Sequence, residues 1–342
     1  MPHARHRMEG GRMLTKDSKS RDAINLPIES LPEIAVIVPV YNGRAMLREL
    51  CRRLIESLSE ITSDFIVVLV DDAGPDNPWP LIREVSHGDE RIKGVRLSRN
   101  FGQHYALTAG IDVARARWYV IMDCDLQDAP EDILRLYAKA IEGYDVVTGV
   151  RAKEGHRHFK RGSSRLFYAL FKILSGVRLD WSIGNFRIFS NAVAEGFRDM
   201  REQLRFVPAS FEWMGFETAY IDLPHHARAE GQSSYTFGKL MRLATNTILA
   251  HSQVPLNVVA VLGFVMSGIT FLVALIYFGR ALLFGTTVAG WSSLFVTMLF
   301  LSSFQIALMG VLGIYIGKTF DETKRRPLYI VKDTVNLDLK ND

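Results

Sequence analysis

Only two cysteines occur in 342 residues, Cys51 and Cys124, far apart and without metal-ligand spacing. That scarcity excludes a disulfide scaffold and suits a reducing compartment. No glycine-rich phosphate loop, G-x-G-x-x-G or G-x-x-x-x-G-K-[ST], follows the first apolar segment. A nucleotide bound here would need its diphosphate neutralised by other groups. The N-terminal stretch MPHARHRMEGGRMLTKDSKSRD has no apolar core and is not expected to be a secretory signal. Residues 1–30 read as a disordered, solvated basic tail. A net charge of +4 is too small to argue for nucleic acid, and none is expected as a partner. Charge itself is missing from two long runs: Ser252–Gly279 and Ala281–Gly317 contain no Asp, Glu, Lys or Arg.

Within those runs lie residues 258–278 and 291–317. As a helix, the first would extend ~31 Å, the thickness of a bilayer's hydrocarbon core. Two transmembrane helices are expected, about 255–278 and 291–317, in a segment 236–320 that includes a linker. A buried helical hairpin in a soluble fold is the alternative. Lys239 and Arg242 precede the pair, and Lys318, Lys324, Arg325 and Arg326 follow it, whereas the connection holds only Arg280. Positive residues stay on the cytoplasmic side, so both ends of the hairpin are expected there, with 321–342 as a cytoplasmic tail.

What is present before residue 150 alternates. EIAVIVPVYN, DFIVVLVDD, IKGVRLS, WYVIMD and YDVVTGV read as strands, and residues 45–58, 103–115 and APEDILRLYAKAIEG as helices. Asp128 with Glu131 fits a capping box on the last helix, with Pro130 in its first turn. Continuously apolar strands alternating with helices predict an α/β fold with a parallel sheet covered on both faces. Such sheets bind ligands outside the carboxyl ends of their strands. Pro39, Tyr41 and Asn42 end the first strand, Asp71 and Asp72 the second, Asp123 and Asp125 the fourth. A solvated acidic loop is one reading of DCDLQDAPED. The reading that explains its place at a strand end is a clamp of Asp123, Asp125 and the Gln127 carbonyl for a divalent cation on a diphosphate. Further on, RAKEGHRHFKRGSSRLFYALFKIL places Leu166, Phe167, Leu170, Phe171 and Leu174 on one face behind Arg157, Lys160, Arg161 and Arg165. An amphipathic helix at about 159–175 is expected to lie on a membrane surface or, alternatively, against the core.

The ordered set VIVPVYNG, VDDAGPDN, LSRNFGQHYALTAGI, MDCDLQDAPEDI, VTGVR, GNFRIFS and RAEGQSSYTFGKL resembles the family-2 inverting glycosyltransferases over roughly residues 33–330. Within them it is similar to the polyprenyl-phosphate glycosyltransferases. The resemblance implies a GT-A, Rossmann-like catalytic domain over 31–235 on the cytoplasmic side of the inner membrane, with amphipathic interface helices and a multi-pass anchor. It implies a UDP-linked sugar donor, an undecaprenyl phosphate acceptor, membrane lipid contact, Mg²⁺ or Mn²⁺, and a homo-oligomer, a tetramer. Pro39, Tyr41, Asn42, Asp71 and Asp72 match its nucleotide pocket; Asp123, Asp125 and Gln127 match its metal and diphosphate site. Arg151, Arg165 and Arg228, with Ser233, match the groups that hold donor and lipid phosphate; Asp125 and these arginines carry the catalytic role. Gly43 stands where the family usually has glutamate, DDAGPD where it has DDGSxD, and Ser234 where many relatives have lysine. A processive polysaccharide synthase would need a Q-x-x-R-W motif and more spans, and a lipid flippase would need polar groups within its spans. A nucleotide-binding module without catalysis is separated from an enzyme by assay.

Overall fold

The computed structural model describes residues 30–151, 183–224, 254–284 and 290–337. The alternation expected up to residue 151 is present: β1 (Ile34–Val40), α1 (Leu47–Ser59), β2 (Phe65–Asp71), α2 (Trp79–Gly88), β3 (Ile92–Leu97), α3 (Gln103–Val113), β4 (Trp118–Ile121), α4 (Ile133–Ala140) and β5 (Val146–Arg151). Then come β6 (Ile183–Ser190), α5 (Asn191–Asp199), α6 (Val207–Met214), β7 (Thr218–Leu223), the long helices α7 (Val254–Phe284) and α8 (Trp291–Thr323), and β8 (Val331–Val335).

The strands form one sheet in the order β7-β5-β6-β4-β1-β2-β3-β8. β1 pairs in parallel with β2 and β4, β2 with β3, and β5 with β7. β6 runs antiparallel between β4 and β5, and β8 antiparallel along β3. The central strands β1, β2 and β4 are almost wholly apolar because both of their faces are covered. Ile34, Val36, Val38 and Val40 join α1, α2 and α4 in one core; Ala35 and Ile37 join α3, α5 and α6 in the other. A period of two along each strand thus feeds two helical layers.

Four expectations need correction or qualification. β5 is not a simple continuation of the parallel sheet, because β6 separates it from β4. The capping box does not form: a 3₁₀ turn, Pro130–Asp132, precedes α4, its N-cap is Ala129, and no side chain caps it. Glu131 instead accepts from Arg53 Nε and Nη2 at 2.8 and 2.5 Å, a cross-element ion pair that outcompetes the local cap. The tail 321–342 is not merely a tail, since its residues supply β8. Finally, helices occupy both uncharged runs, but among the described residues no helix is long and apolar enough to cross a membrane. The tail 1–29 and the amphipathic helix at 159–175 lie outside the described residues.

The two long helices touch where Gly263 faces Leu308; a Cβ there would meet Leu308 Cδ1 at 3.7 Å. The end of α8 docks on the sheet domain. Gln203 N donates to Glu322 Oε1 at 2.8 Å and Gln203 Nε2 to the Arg326 carbonyl at 2.7 Å, while Tyr105 Oη on α3 donates to the Gln203 carbonyl at 2.6 Å.

Candidate active site

Parallel pairing fixes which ends of the strands meet. The registers Val40↔Asp71 and Ile37↔Ile121 carry Tyr41, Asn42, Asp71, Asp72 and the Asp123–Asp125 turn to one edge of the sheet. β5 runs the same way as β4, because each is antiparallel to β6, so Arg151 ends at that edge too. Pro39 is buried within β1, Tyr41 is 51% exposed, and Asn42 holds a φ of 56°, a left-handed conformation that asparagine tolerates. A cleft of about 760 Å³ opens beside Asn42, lined by Arg44, Arg48, Asp76 and Glu84 among others.

The two acids after β2 take different roles. Asp71 is buried, with Arg96 Nε at 3.5 Å and the Gly74 N–H at 3.3 Å. Desolvation raises its pKa, and Gly74 and Arg96 oppose that shift. Asp72 turns toward the loop before α3, accepting from Phe101 N at 2.8 Å and Gly102 N at 2.9 Å. Gly102 there has a φ of 105°, which a side chain would strain. Asp72 therefore holds the entry to α3, and burial raises its pKa as well.

That entry leads to the acids after β4. Gln103, the first residue of α3, donates from Nε2 to Asp123 Oδ1 at 2.7 Å. Asp125 Oδ1 accepts from Gln127 N at 3.2 Å across Leu126, whose φ is 57°. Both carboxylates are half-buried, and Cys124 between them is buried, its thiol pushed up to about 12 by desolvation. Among the described residues no group of three His, Cys, Asp or Glu could hold a metal ion. Two hard carboxylates with a buried neutral thiol between them fit Mg²⁺ or Mn²⁺ completed by substrate phosphate, and do not fit a closed thiolate site.

Sequence reasoning missed three neighbours of this turn. The register Ile121↔Arg187 sets Arg187 of β6 beside the end of β4. Arg187 is 3% exposed, and its described partners are carbonyls, Gly184 at 3.0 Å and Asn185 at 3.3 Å, with the Phe211 ring centroid at 4.9 Å. Burial lowers its pKa to about 10, which leaves it charged at neutral pH. His104 lies close by, edge-on to Phe206 at 5.1 Å, its Nδ1 buried without a partner among the described residues. Burial first, then Arg187, lowers its pKa to about 4, so it is neutral. Gln103 is the third. Their motifs, FGQH and GNFR, are legible, but their convergence depends on β6 lying next to β4. The Arg151 side chain is not described, and Arg165, Arg228 and Ser233 lie outside the described residues.

Acids and amide groups thus gather at the carboxyl edge of the sheet, where open α/β sheets bind ligands. A profile of the family described as Glycosyl transferase family 2 matches residues 35–200. The chain is 34% identical over 309 residues to an uncharacterized glycosyltransferase, YkcC, of Bacillus subtilis, covering 90% of this chain and 96% of the relative. It is 30% identical over 320 residues to the undecaprenyl-phosphate 4-deoxy-4-formamido-L-arabinose transferase of Proteus mirabilis, covering 92% and 97%. A more distant likeness, with a TM-score of 0.45 and 18% identity over 65% of this chain and 80% of the other, is to a glucosyl-3-phosphoglycerate synthase structure from Mycobacterium tuberculosis. The chain belongs to glycosyl transferase family 2. It is an enzyme, a glycosyltransferase.

Proposed function

We propose that the enzyme moves one sugar from a UDP-linked donor to a polyprenyl phosphate, undecaprenyl phosphate, with inversion at the anomeric carbon. The observation that carries this reading is the Asp123–Asp125 turn, set at the same sheet edge as Tyr41, Asn42 and Asp71. The acceptor class is supported by the name of the Proteus mirabilis relative, matched along nearly its whole length. Tyr41, Asn42 and Asp71 are assigned to the nucleotide. Asp123 and Asp125, with Gln127, would hold Mg²⁺ or Mn²⁺. A bound cation would neutralise the diphosphate as it departs, the task a glycine-rich loop does elsewhere. Arg151, Arg165 and Arg228, with Ser233, are assigned to donor and lipid phosphates, for which the guanidinium fork is suited. A phosphate is ionised at neutral pH, so the attacking oxygen needs no strong general base.

In the same reading α7 and α8 cross the inner membrane and keep the catalytic domain on the cytoplasmic side. The physical support is what they expose. Phe264 and Leu283 on α7, and Ile306 and Ile316 on α8, are more than two-thirds exposed, and the one charge within the 31 residues of α7 is Arg280. Apolar patches of that extent are stable against lipid or another protein and costly in water.

The test is a screen of nucleotide sugars with undecaprenyl phosphate, reading the glycolipid by mass. Asp125→Asn is expected to abolish transfer and Asp123→Asn to lower it strongly, each with an unchanged circular dichroism spectrum. Chelation by EDTA is expected to stop the native enzyme, and Mg²⁺ or Mn²⁺ to restore it. Full activity in chelator would remove the cation from the mechanism.

A further inference from the structure

The loop after β1 and the turn after β4 meet at Gly43 and Cys124. Gly43 is buried between the exposed Asn42 and Arg44, and its carbonyl accepts from Met46 N at 3.1 Å to start the turn into α1. A Cβ built on Gly43 would fall under 3.0 Å from Cys124 Sγ and 3.5 Å from Cys124 Cβ. The sulfur therefore packs against the loop at residue 43, next in sequence to Tyr41 and Asn42. Cys124 is 8% exposed, in no disulfide, and belongs to the same buried cluster as Val40 and Leu47 on either side of Gly43. Its two chain neighbours are the carboxylates of the turn.

We propose that the Gly43–Cys124 contact is a spacer that sets the separation between the nucleotide loop and the cation turn. It makes both residues positioning residues for the nucleotide diphosphate. The inference rests on the nucleotide-sugar reading above. One nucleotide must touch the base loop at one end and the cation turn at the other, and its length between them is fixed by covalent bonds. A loop raised by one methyl group can satisfy only one end at a time. Packed interiors give way by discrete shifts rather than by compression, so the misfit reaches the ligand.

The experiment measures the Kd of UDP, with GDP in a parallel arm, in the presence of Mg²⁺, by calorimetry on the full chain in detergent. Thermal midpoints are recorded beside it. Gly43→Ala is expected to weaken binding by about tenfold, the scale of one extra methyl in a filled space, and Gly43→Ala with Cys124→Gly to bring it back to within about threefold of native. The pair also reads in the other direction. Cys124→Gly alone removes the support and is expected to weaken binding, and adding Gly43→Ala to it to tighten binding again. Should Gly43→Ala not fold, that second arm decides. Reciprocal rescue in Kd supports the spacer. A merely structural contact would move the thermal midpoints and leave the Kd of folded protein unchanged, and that result overturns it. So does a Gly43→Ala loss that Cys124→Gly cannot repair. Native protein that binds neither nucleotide overturns the nucleotide-sugar reading and the spacer with it. Native binding without reciprocal rescue overturns the spacer alone.

Discussion

His104 and Arg187 illustrate how a single buried side chain sets a pH dependence. The His104 pKa falls from 6.5 in the unfolded chain to about 4 in the folded one, because burial and the nearby Arg187 oppose a second positive charge. The unfolded chain then binds a proton that the native state refuses. Stability linked to His104 is complete above pH 6.5 and is lost as pH falls toward 4. Asp71 and Asp72 act with the opposite sign. Their raised pKa values mean that burial costs stability at neutral pH and that this cost is relieved in acid. His104→Gln is therefore expected to flatten the decline of the thermal midpoint between pH 6.5 and 4. An unchanged slope in that variant would remove His104 as its source. At the arginines proposed to hold phosphate the expectation is kinetic. Arg151→Ala, Arg165→Ala and Arg228→Ala should each lower kcat/KM for lipid phosphate by about tenfold or more, since a charged hydrogen bond contributes roughly 1.5–3 kcal/mol. Native kinetics in all three would refute their assignment.

Among the elements, α3 is tied down at both ends. Its first turn reaches Asp123 through Gln103 and α8 through Tyr105 and Gln203. Its far end is held by Arg198 of α5, which donates to the Ile111 carbonyl at 2.7 and 3.0 Å, the Ala114 carbonyl at 2.8 Å and Tyr119 Oη at 2.9 Å. Arg198 reads in the sequence as one more cation, yet its side chain serves as a connector for orphan carbonyls at a helix end. Arg198→Ala should cost at least about 2 kcal/mol in chemical denaturation, because several buried acceptors lose their donor together. A loss near zero would mean that water replaces the guanidinium. β8 is the second case. It covers the edge of β3, Trp79 Nε1 donates to Asp333 Oδ2 at 3.2 Å, and Tyr329 Oη donates to Asp112 Oδ2 at 2.7 Å. Truncation after Pro327 uncovers a strand edge and should produce a lower thermal midpoint and concentration-dependent association on a sizing column. A monomeric truncation product of native midpoint would show that the edge needs no cover.

At the scale of the whole molecule the question is how the sheet domain sits against the long helices. Glu322 at the end of α8 and the turn around Gln203 join them on the side of α3 that leads to Asp123. In the proposed reading the acceptor phosphate rests at the membrane surface, so the orientation of α7 and α8 decides which side the site serves. The orientation is testable because both native cysteines are buried and free, which keeps the labelling background low. In intact cells Thr287→Cys is expected to react with an impermeant thiol reagent, and Lys340→Cys is not. The reverse pattern would overturn the cytoplasmic placement of the catalytic domain.

Local pattern was enough for the strands and helices up to Arg151. Apolar runs of strand length bounded by polar ends have few other structures, and a parallel sheet follows from their alternation with helices. The carboxyl-edge position of Asp71, Asp123 and Asp125 followed from that alone. The uncharged runs likewise marked α7 and α8, since a helix satisfies its own backbone wherever charge is absent. The insertion of β6 between β4 and β5, and the return of β8 to β3, were not legible. Antiparallel pairing at long sequence separation leaves no periodic trace; it depends on which edges remain open once the parallel strands have assembled. The same holds at the site. Asp72 also holds the loop before α3, and Glu131 became the partner of Arg53 rather than half of a capping box. Arg187 came to lie beside the end of β4, and Gly43 came to rest on the Cys124 sulfur, because packing brings together groups that the chain keeps tens of residues apart.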